Sequence, residues 1–165
     1  KSLPAGPLID ALLKNLSPLQ RSRLVFYSTD RTHTAALKAK APDAIHFEPR
    51  DTTRTRGLTQ LLAGRCELPN PKDLYIGFEL YRDVSVTEKL TLGDGASPVR
   101  ATFWTSETIA CTRRQAPQAE IVIFGVNSVQ DYDQAMMLGA QAVYTDTPLS
   151  ILAHRRKIQK FCAKK

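Results

Sequence analysis

Two segments, Ile121-Val-Ile-Phe-Gly-Val-Asn127 and Thr145-Asp-Thr-Pro148, decide the fold of this chain. The first is an apolar strand that ends in a polar residue, and the second follows the short strand Ala142-Val-Tyr144. The helix between them begins with Ser128 and Asp131, which resemble a capping box. In β/α folds, ligands bind at polar residues just past the carboxyl ends of the strands. The sequence therefore predicts one rim of an α/β enzyme.

Length and composition describe one ordinary globular domain. The chain has 165 residues, of which 42% are hydrophobic and 24% are charged, and these values are typical of a soluble fold. No stretch approaches the ~18 consecutive apolar residues of a membrane-spanning helix. No leader is recognisable, but the chain opens on Lys1 rather than methionine. The compartment therefore stays open between cytoplasmic and periplasmic or secreted.

Positive charge concentrates at the end of the chain. The net charge is +7, from 23 Lys and Arg against 16 Asp and Glu, and the segment His154–Lys165 carries much of it. A basic balance favours anionic partners such as phosphate esters, nucleic acid or acidic lipid. Neither an RNA-binding signature with interleaved aromatic residues nor zinc-finger spacing accompanies the charge. Nucleic acid is the less favoured partner, and a solvated basic helix over 148–165 is the preferred interpretation.

Cysteine and histidine residues give no metal or catalytic signature. Cys66, Cys111 and Cys162 are far apart and match no metal-ligand spacing. Their odd number leaves at least one free thiol. A Cys66–Cys111 disulfide would indicate an oxidising compartment, whereas unpaired buried thiols fit the sequence at least as well. His33 and His46 have no paired acid at recognisable spacing.

The order of predicted elements indicates parallel strands joined by crossover helices. A first helix is followed by strand–helix units repeated four times, which make half of an eight-stranded barrel or a small open sheet. Residues 82–100, with Gly93-Asp-Gly95, are predicted as an irregular insertion. A short helix is predicted at Leu58–Ala63, and Asp30 is predicted to cap a helix over Arg31–Lys40.

The ends of the last strands resemble motifs of the glycerophosphodiester phosphodiesterase family, whose members are TIM barrels. The family's penultimate strand commonly ends Trp-Thr-Val-Asn, its last strand ends Thr-Asp-x-Pro, and a helix of the form Glu-Asp-Met…Leu-Gly-Val lies between them. The same places here hold Phe124-Gly-Val-Asn127, Thr145-Asp-Thr-Pro148 and Tyr132-Asp-Gln-Ala-Met-Met-Leu-Gly139. Leu24-Val-Phe-Tyr-Ser28 looks like the family's fifth strand with its Ser-Phe-Asp ending. The resemblance covers roughly residues 1–50 and 100–150.

The resemblance implies an α/β fold of TIM-barrel-type (β/α) units. Residues 1–165 would be a single domain that forms the C-terminal half of a (β/α)8 barrel. The family's His-Arg-Gly, its Glu-x-Asp pair and its second histidine lie in the first half, and no stretch here matches them. Lys1-Ser-Leu-Pro4 stands where the lysine of the family's Glu-x-Lys is expected, as in a proteolytic product or part of a larger protein. A half barrel exposes two unpaired strand edges, so the expected partner is the missing N-terminal half, on the same or a separate chain.

By the same resemblance, the reaction is cleavage of a small glycerophosphodiester to glycerol phosphate and an alcohol. A divalent metal, Mg or Ca, polarises the phosphate and a histidine pair moves protons. The metal ligands and the histidines are expected outside this chain. Lys1 is the candidate catalytic cation, which would stabilise charge on the phosphate. Phe124 stands where the family carries tryptophan on the glycerol side, and Asn127 and Asp146 are candidate substrate contacts.

Each substrate-binding candidate also has a purely structural interpretation. Phe124 would serve equally well in core packing. Asn127 and Asp146 would bond loop backbone as Asx turns. Glu79 is a carboxylate in the apolar strand Gly77-Phe-Glu-Leu-Tyr81. It is a candidate substrate-binding residue, for a hydroxyl group or a metal, and its structural alternative is an exposed edge position.

Two other functions fit the sequence. A non-catalytic member of the fold would bind a phosphorylated ligand or a partner protein, and Phe124-Gly125 in place of Trp-Thr favours it. A basic interaction module would use Arg50–Arg65 and the C-terminal tail on nucleic acid or acidic membrane, with affinity that falls steeply as salt rises. The sequence has no P-loop, dinucleotide fingerprint or Gly-x-Ser-x-Gly elbow, which argues against those enzyme classes.

Overall fold

The computed structural model describes residues 5–66 and 74–162. The elements in chain order are α1 (Ala5–Asn15), α2 (Pro18–Arg21), β1 (Val25–Phe26), α3 (Arg31–Lys40), β2 (Ile45–His46), α4 (Arg50–Ala63), β3 (Tyr75–Glu79), β4 (Tyr81–Leu90), β5 (Gly93–Thr102), α5 (Ser106–Gln115), β6 (Glu120–Phe124), α6 (Val129–Met137), β7 (Ala142–Tyr144) and α7 (Pro148–Cys162). None of the helices in these two ranges is long and apolar enough to span a membrane.

Five short parallel strands follow one another in space in the same order as along the chain. β1 pairs with β2, β3 with β6, and β6 with β7. A single parallel bridge between Phe47 and Tyr75 continues the series from β2 to β3. The order never reverses as it does in doubly wound sheets. Among the described residues the outer edges of β1 and β7 are unpaired, so the structure is a mixed α/β fold without a closed barrel.

The structure contains five strand–helix units, whereas the sequence predicted four. β1 is followed by α3, β2 by α4, β6 by α6 and β7 by α7, and the hairpin β4–β5 comes between β3 and α5. The predicted short helix Leu58–Ala63 is only the second half of α4, which already begins at Arg50. The helical pattern of its first half is weak because β-branched threonine lowers helix propensity.

Residues 82–100 form a regular antiparallel hairpin, so the predicted irregular insertion is wrong. β4 and β5 pair over their whole length, and Gly93 has a φ of 133° at the turn. β5 contains glycine, aspartate and proline, which are depleted in strands, and this composition hid the strand. A two-stranded hairpin has an edge on each side, where proline is tolerated, and Pro98 here lies opposite Ser85.

One face of the parallel sheet packs against helices to form the main core. Ile76 and Phe78 of β3 and Ile121 and Ile123 of β6 are at most 1% exposed, and they cluster with side chains of α5, α6 and α7. Trp104 joins this core and donates its indole N–H to the Phe78 carbonyl at 3.1 Å. Full burial of each such side chain stabilises the fold by about 1.5–3 kcal/mol.

A buried ion pair and a disulfide fix α4. The Glu48 carboxylate, 1% exposed, follows β2 and accepts hydrogen bonds from the Arg56 guanidinium and the Thr53 hydroxyl. Cys66, just after α4, forms a disulfide with Cys111 of α5. The cysteine pairing that the sequence left open is therefore a disulfide.

The basic C-terminal helix predicted over 148–165 is α7. Residues 163–165 and the side chain of Cys162 lie outside the described part of the chain. His154, predicted to be solvated, instead contacts Asp133 of α6, with 2.8 Å between Nε2 and Oδ1. The His154 ring also packs edge-on against Tyr132. These contacts join α7 to α6.

Candidate functional site

The carboxyl ends of the parallel strands, here called the carboxyl edge, hold most of the predicted site residues. Glu79 ends β3, level with Phe124 at the end of β6. Asn127 and Asp146 follow β6 and β7. These four residues lie at one edge because parallel strands end at the same side of a sheet. Lys1, the predicted catalytic cation, lies outside the described residues.

Four aromatic rings form a wall on the face of the sheet opposite the helices, here called the aromatic wall: Tyr27, Phe47, Phe124 and Tyr144. The centre of the Phe124 ring lies 4.9 Å from that of Tyr27, 5.7 Å from Phe47 and 5.8 Å from Tyr144. Gly77 makes room for these rings, because a Cβ there would come within 2.4 Å of Phe124. Tyr144 is 68% exposed, so the wall is open on one side.

An ion pair between Arg50 and Glu79 lies beside this wall. Arg50, the first residue of α4, donates from Nη2 to Glu79 Oε1 at 2.7 Å. The two side chains are only 16% and 32% exposed. Glu79 Oε2 and Arg50 Nε are buried and have no hydrogen-bond partner among the described residues. The pair therefore leaves one buried acceptor and one buried donor without a partner among the described residues.

The ion pair affects the pKa values of Arg50 and of the neighbouring Tyr27. The hydrogen bond to Glu79 raises the pKa of Arg50, so the guanidinium stays charged at any physiological pH. Burial raises the pKa of Tyr27, and the nearby Arg50 opposes that shift. The Tyr27 hydroxyl is consequently neutral at neutral pH and available as a donor.

Asn127 and Asp146 bond to each other across the two strand-end loops. Asn127 Nδ2 donates to Asp146 Oδ2 at 3.0 Å, and the Asp146 amide donates to Asn127 Oδ1 at 2.8 Å. The Thr147 hydroxyl donates to the Asn127 carbonyl at 3.0 Å. The Asn127 side chain thus bonds loop backbone, but across 19 residues rather than in a local Asx turn, and the Asp146 carboxylate bonds the Asn127 side chain instead.

His33 has neighbours at the end of β1 that its sequence spacing did not reveal. Ser28 Oγ lies 3.1 Å from His33 Nδ1, and Asp30 Oδ2 lies 3.9 Å from His33 Nε2. Asp30 also caps α3 as predicted, accepting from the Thr32 amide at 2.8 Å. The hydrogen bond from the Thr32 hydroxyl lowers the pKa of Asp30. Because Asp30 and Ser28 are committed to this turn, the cluster is structural.

The described residues offer no fit to a divalent metal. Within residues 5–66 and 74–162, no three or more His, Cys, Asp or Glu side chains are grouped to hold one. Divalent cations such as Mg and Ca need several oxygen ligands. Glu79 already bonds Arg50, which disfavours a second cation there. We therefore assign no metal ligand to this part of the chain.

Arg50 and three rings of the aromatic wall were missed by sequence reasoning. Arg50 begins α4 four residues after the end of β2, in the kind of strand-to-helix loop region where β/α folds place ligand contacts. That position was the available signal. Tyr27, Phe47 and Tyr144 occur singly in three different strands or just after them. Their grouping depends on strand register and on the space above Gly77, which no local pattern records.

Comparisons with known proteins agree with the strand-end motifs, although no family model matches the sequence. The uncharacterized protein Rv2277c of Mycobacterium tuberculosis strain H37Rv is 36% identical over 151 residues, which cover 91% of this chain and 50% of that protein. The uncharacterized protein MT2337 of strain CDC 1551 is also 36% identical over 151 residues, which cover 91% of this chain and 49% of that protein.

A solved structure matches over almost the whole chain. It is the crystal structure of the glycerophosphoryl diester phosphodiesterase domain of Rv2277c, with a TM-score of 0.76 and 35% sequence identity. The match covers 92% of this chain and 55% of that one. The chain thus spans about half the length of the proteins that it matches. In sequence and fold the chain is similar to a glycerophosphoryl diester phosphodiesterase domain, as its strand-end motifs predicted.

Proposed function

We propose that this chain forms the substrate side of a hydrolase that cleaves a glycerophosphodiester to glycerol phosphate and an alcohol. The observation that carries the proposal is the carboxyl edge itself. There the Arg50–Glu79 pair meets the aromatic wall in a fold similar to a solved phosphodiesterase domain. Ligands of parallel β/α folds bind at this edge.

The strand arrangement supports a barrel that further strands complete. Five parallel strands wind in one direction, and among the described residues the edges at β1 and β7 are unpaired. Further strands would pair both edges and enclose the aromatic wall. If β7 is the eighth strand, counting back makes β1 the fourth, rather than the fifth that the resemblance implied. The remaining strands would come from polypeptide outside this sequence, in the same or a separate chain.

Each residue of the edge has a proposed role. Glu79 Oε2 accepts a hydrogen bond from a glycerol hydroxyl, and Arg50 Nε donates one to a ligand oxygen. Phe124 and Tyr144 pack against the carbon atoms of the substrate. The Asn127–Asp146 bond holds together the two loops that flank the site. These two residues therefore position the site rather than contact the substrate.

The proposed reaction moves the phosphoryl group from the alcohol oxygen to water. The bond from phosphorus to the alcohol oxygen breaks, a new bond to the water oxygen forms, and the alcohol leaves with a proton. Lys1, if it lies at this edge, would stabilise charge on the non-bridging oxygens. The family resemblance implies a divalent metal, but the described residues do not fit one. No step is therefore assigned to a metal.

Binding of glycerol 3-phosphate tests the site. Titration followed by NMR should shift the resonances of Tyr27, Phe124 and Tyr144. Glu79→Gln should weaken binding by about tenfold, because a hydrogen bond to a charged group contributes about 1.5–3 kcal/mol. Glu88→Gln, an exposed change on the hairpin, serves as the matched control. Shifts confined to other surfaces, or equal affinity of the Glu79 variant, would refute the site.

A non-catalytic binding protein is the second candidate. One observation favours it: Phe124-Gly125 stands in place of the family's Trp-Thr. Such a protein would bind glycerol 3-phosphate at the same edge without hydrolysing any glycerophosphodiester. The binding titration and a hydrolysis assay together distinguish the two candidates.

A further inference from the structure

A second concave surface, here called the α4 groove, separates α4 from the hairpin β4–β5. Its volume is about 620 Å³, within the range of small-molecule pockets. The buried rings of Phe78 and Phe103 line it. All of the lining residues fall between Arg54 and Phe103 in the chain. The described lining residues therefore belong to α4, β3, the hairpin and the positions just after α4 and β5.

The walls of the α4 groove are apolar. Leu58, Leu61 and Leu62 repeat at helical spacing on α4 and face Val84 and Ala101 of the hairpin. Leu58 is 42% and Leu62 84% exposed. A contiguous exposed apolar patch of this kind is typical of ligand-binding grooves and interaction sites.

The described charged side chains that line the α4 groove are all positive. They are Arg54, Arg65 and Arg82, and within residues 5–66 and 74–162 no aspartate or glutamate lines the groove. Arg54 has an ion-pair partner in Asp51 at 3.2 Å, whereas Arg82 Nη1 is buried without a hydrogen-bond partner among the described residues. Arg54 lies in the first half of α4, and Arg65 lies two residues past the end of this helix. The leucines between them form an apolar track with a cation at each end.

We propose that the α4 groove binds a single-chain lipid with an anionic phosphate head, that is, a lysophospholipid. The acyl chain lies along the leucine track and the phosphate meets a guanidinium, whose planar fork suits phosphate oxygens. An acidic peptide fits less well, because its backbone N–H and C=O groups need partners when buried. The polar lining that is not arginine consists of three threonines, Thr55, Thr59 and Thr102.

Calorimetric titration with lauroyl-lysophosphatidylglycerol, below its micelle concentration, tests this proposal. Affinity should exceed that for zwitterionic lauroyl-lysophosphatidylcholine by at least tenfold, and glycerophosphoglycerol, which lacks the chain, should not bind in the groove. Leu61→Asp and Arg82→Gln should each weaken binding at least tenfold. The matched controls are Leu92→Ser at the hairpin turn and Arg100→Gln, whose guanidinium stacks on Tyr81. Both controls should bind like the wild type.

Several outcomes would overturn the proposal. These are unchanged affinity in both groove variants, tighter binding of laurate than of the lysophospholipid, and tighter binding of an acidic amphipathic peptide. Circular dichroism identifies a variant that has not folded, and the other groove variant then carries the test. The lipid head is itself a phosphodiester, so Glu79→Gln is titrated in parallel. If Glu79→Gln binds the lysophospholipid like the wild type, the lipid binds independently of the carboxyl edge. If Glu79→Gln loses this binding, the lipid binds at the carboxyl edge and the α4 groove is refuted.

Discussion

Glu48 is the residue whose loss we expect to cost the most stability. Its buried carboxylate neutralises Arg56, which is itself only 6% exposed. Glu48→Ala would leave a buried, unpaired guanidinium, so unfolding in urea should show a loss of about 3–5 kcal/mol. The exposed Glu88→Ala should change stability by less than about 0.5 kcal/mol. A loss below about 1 kcal/mol for Glu48→Ala would mean that Arg56 reaches water in the variant.

Gly77 is the residue that makes the aromatic wall possible. Gly77→Ala places a methyl group against Phe124 and Phe47, and overpacking of this kind costs about 1–3 kcal/mol. We expect altered near-ultraviolet circular dichroism and weaker glycerol 3-phosphate binding. Gly64→Ala is the control, because its strain arises from a φ of 61° with no atom nearby. It should lower stability and leave the wall and the binding unchanged. Equal spectra for both variants would contradict the packing of the wall.

At the scale of elements, α3 should make stability depend on pH through its cap. Asp30 caps the helix, and the hydrogen bond from the Thr32 hydroxyl lowers its pKa below the ordinary 3.8. An acid with a lowered pKa stabilises the folded state above its unfolded pKa and loses that contribution as pH falls through the folded value. Asp30→Asn keeps the cap but does not titrate. The stability of the wild type should therefore fall relative to this variant below pH 3.8; a constant difference would contradict the cap.

The disulfide between α4 and α5 should contribute measurably to stability. It closes a separation of 45 residues, which the chain-entropy model values at about 4 kcal/mol. Replacing Cys66 and Cys111 together by alanine should lower the free energy of unfolding by about 2–4 kcal/mol and remove the effect of reductant. A wild type that unfolds identically with and without reductant would show that the two thiols are not bonded.

Helices and strands were predictable where their signals are local. Asp30 and Ser128 cap α3 and α6 within a few residues of sequence, and β7 has the bounds that its apolar run predicted. The hairpin escaped because its glycines and proline argue against strands, and only pairing across the turn makes it regular. The site residues likewise divide into those with a local sequence signal and those defined by contacts between distant residues. Glu79 and Phe124 were found at strand ends, whereas the Arg50 contact spans 29 residues.

At the scale of the whole molecule, the parallel order was predictable and the closure was not. Alternating strands and helices require parallel pairing, and the five strands lie in chain order. Whether further strands close the barrel depends on polypeptide that the sequence does not contain. The aromatic wall, open on one side, is the surface that such strands would enclose.

Release of glycerol phosphate from a glycerophosphodiester by the full-length gene product is the decisive measurement. We expect turnover by the wild type, a loss of at least tenfold in kcat/KM for Glu79→Gln, and no loss for Glu88→Gln. Undiminished release by the Glu79 variant would contradict the placement of the substrate at the carboxyl edge. No release by a wild type that still binds glycerol 3-phosphate would contradict the hydrolase and leave the non-catalytic binding protein in its place.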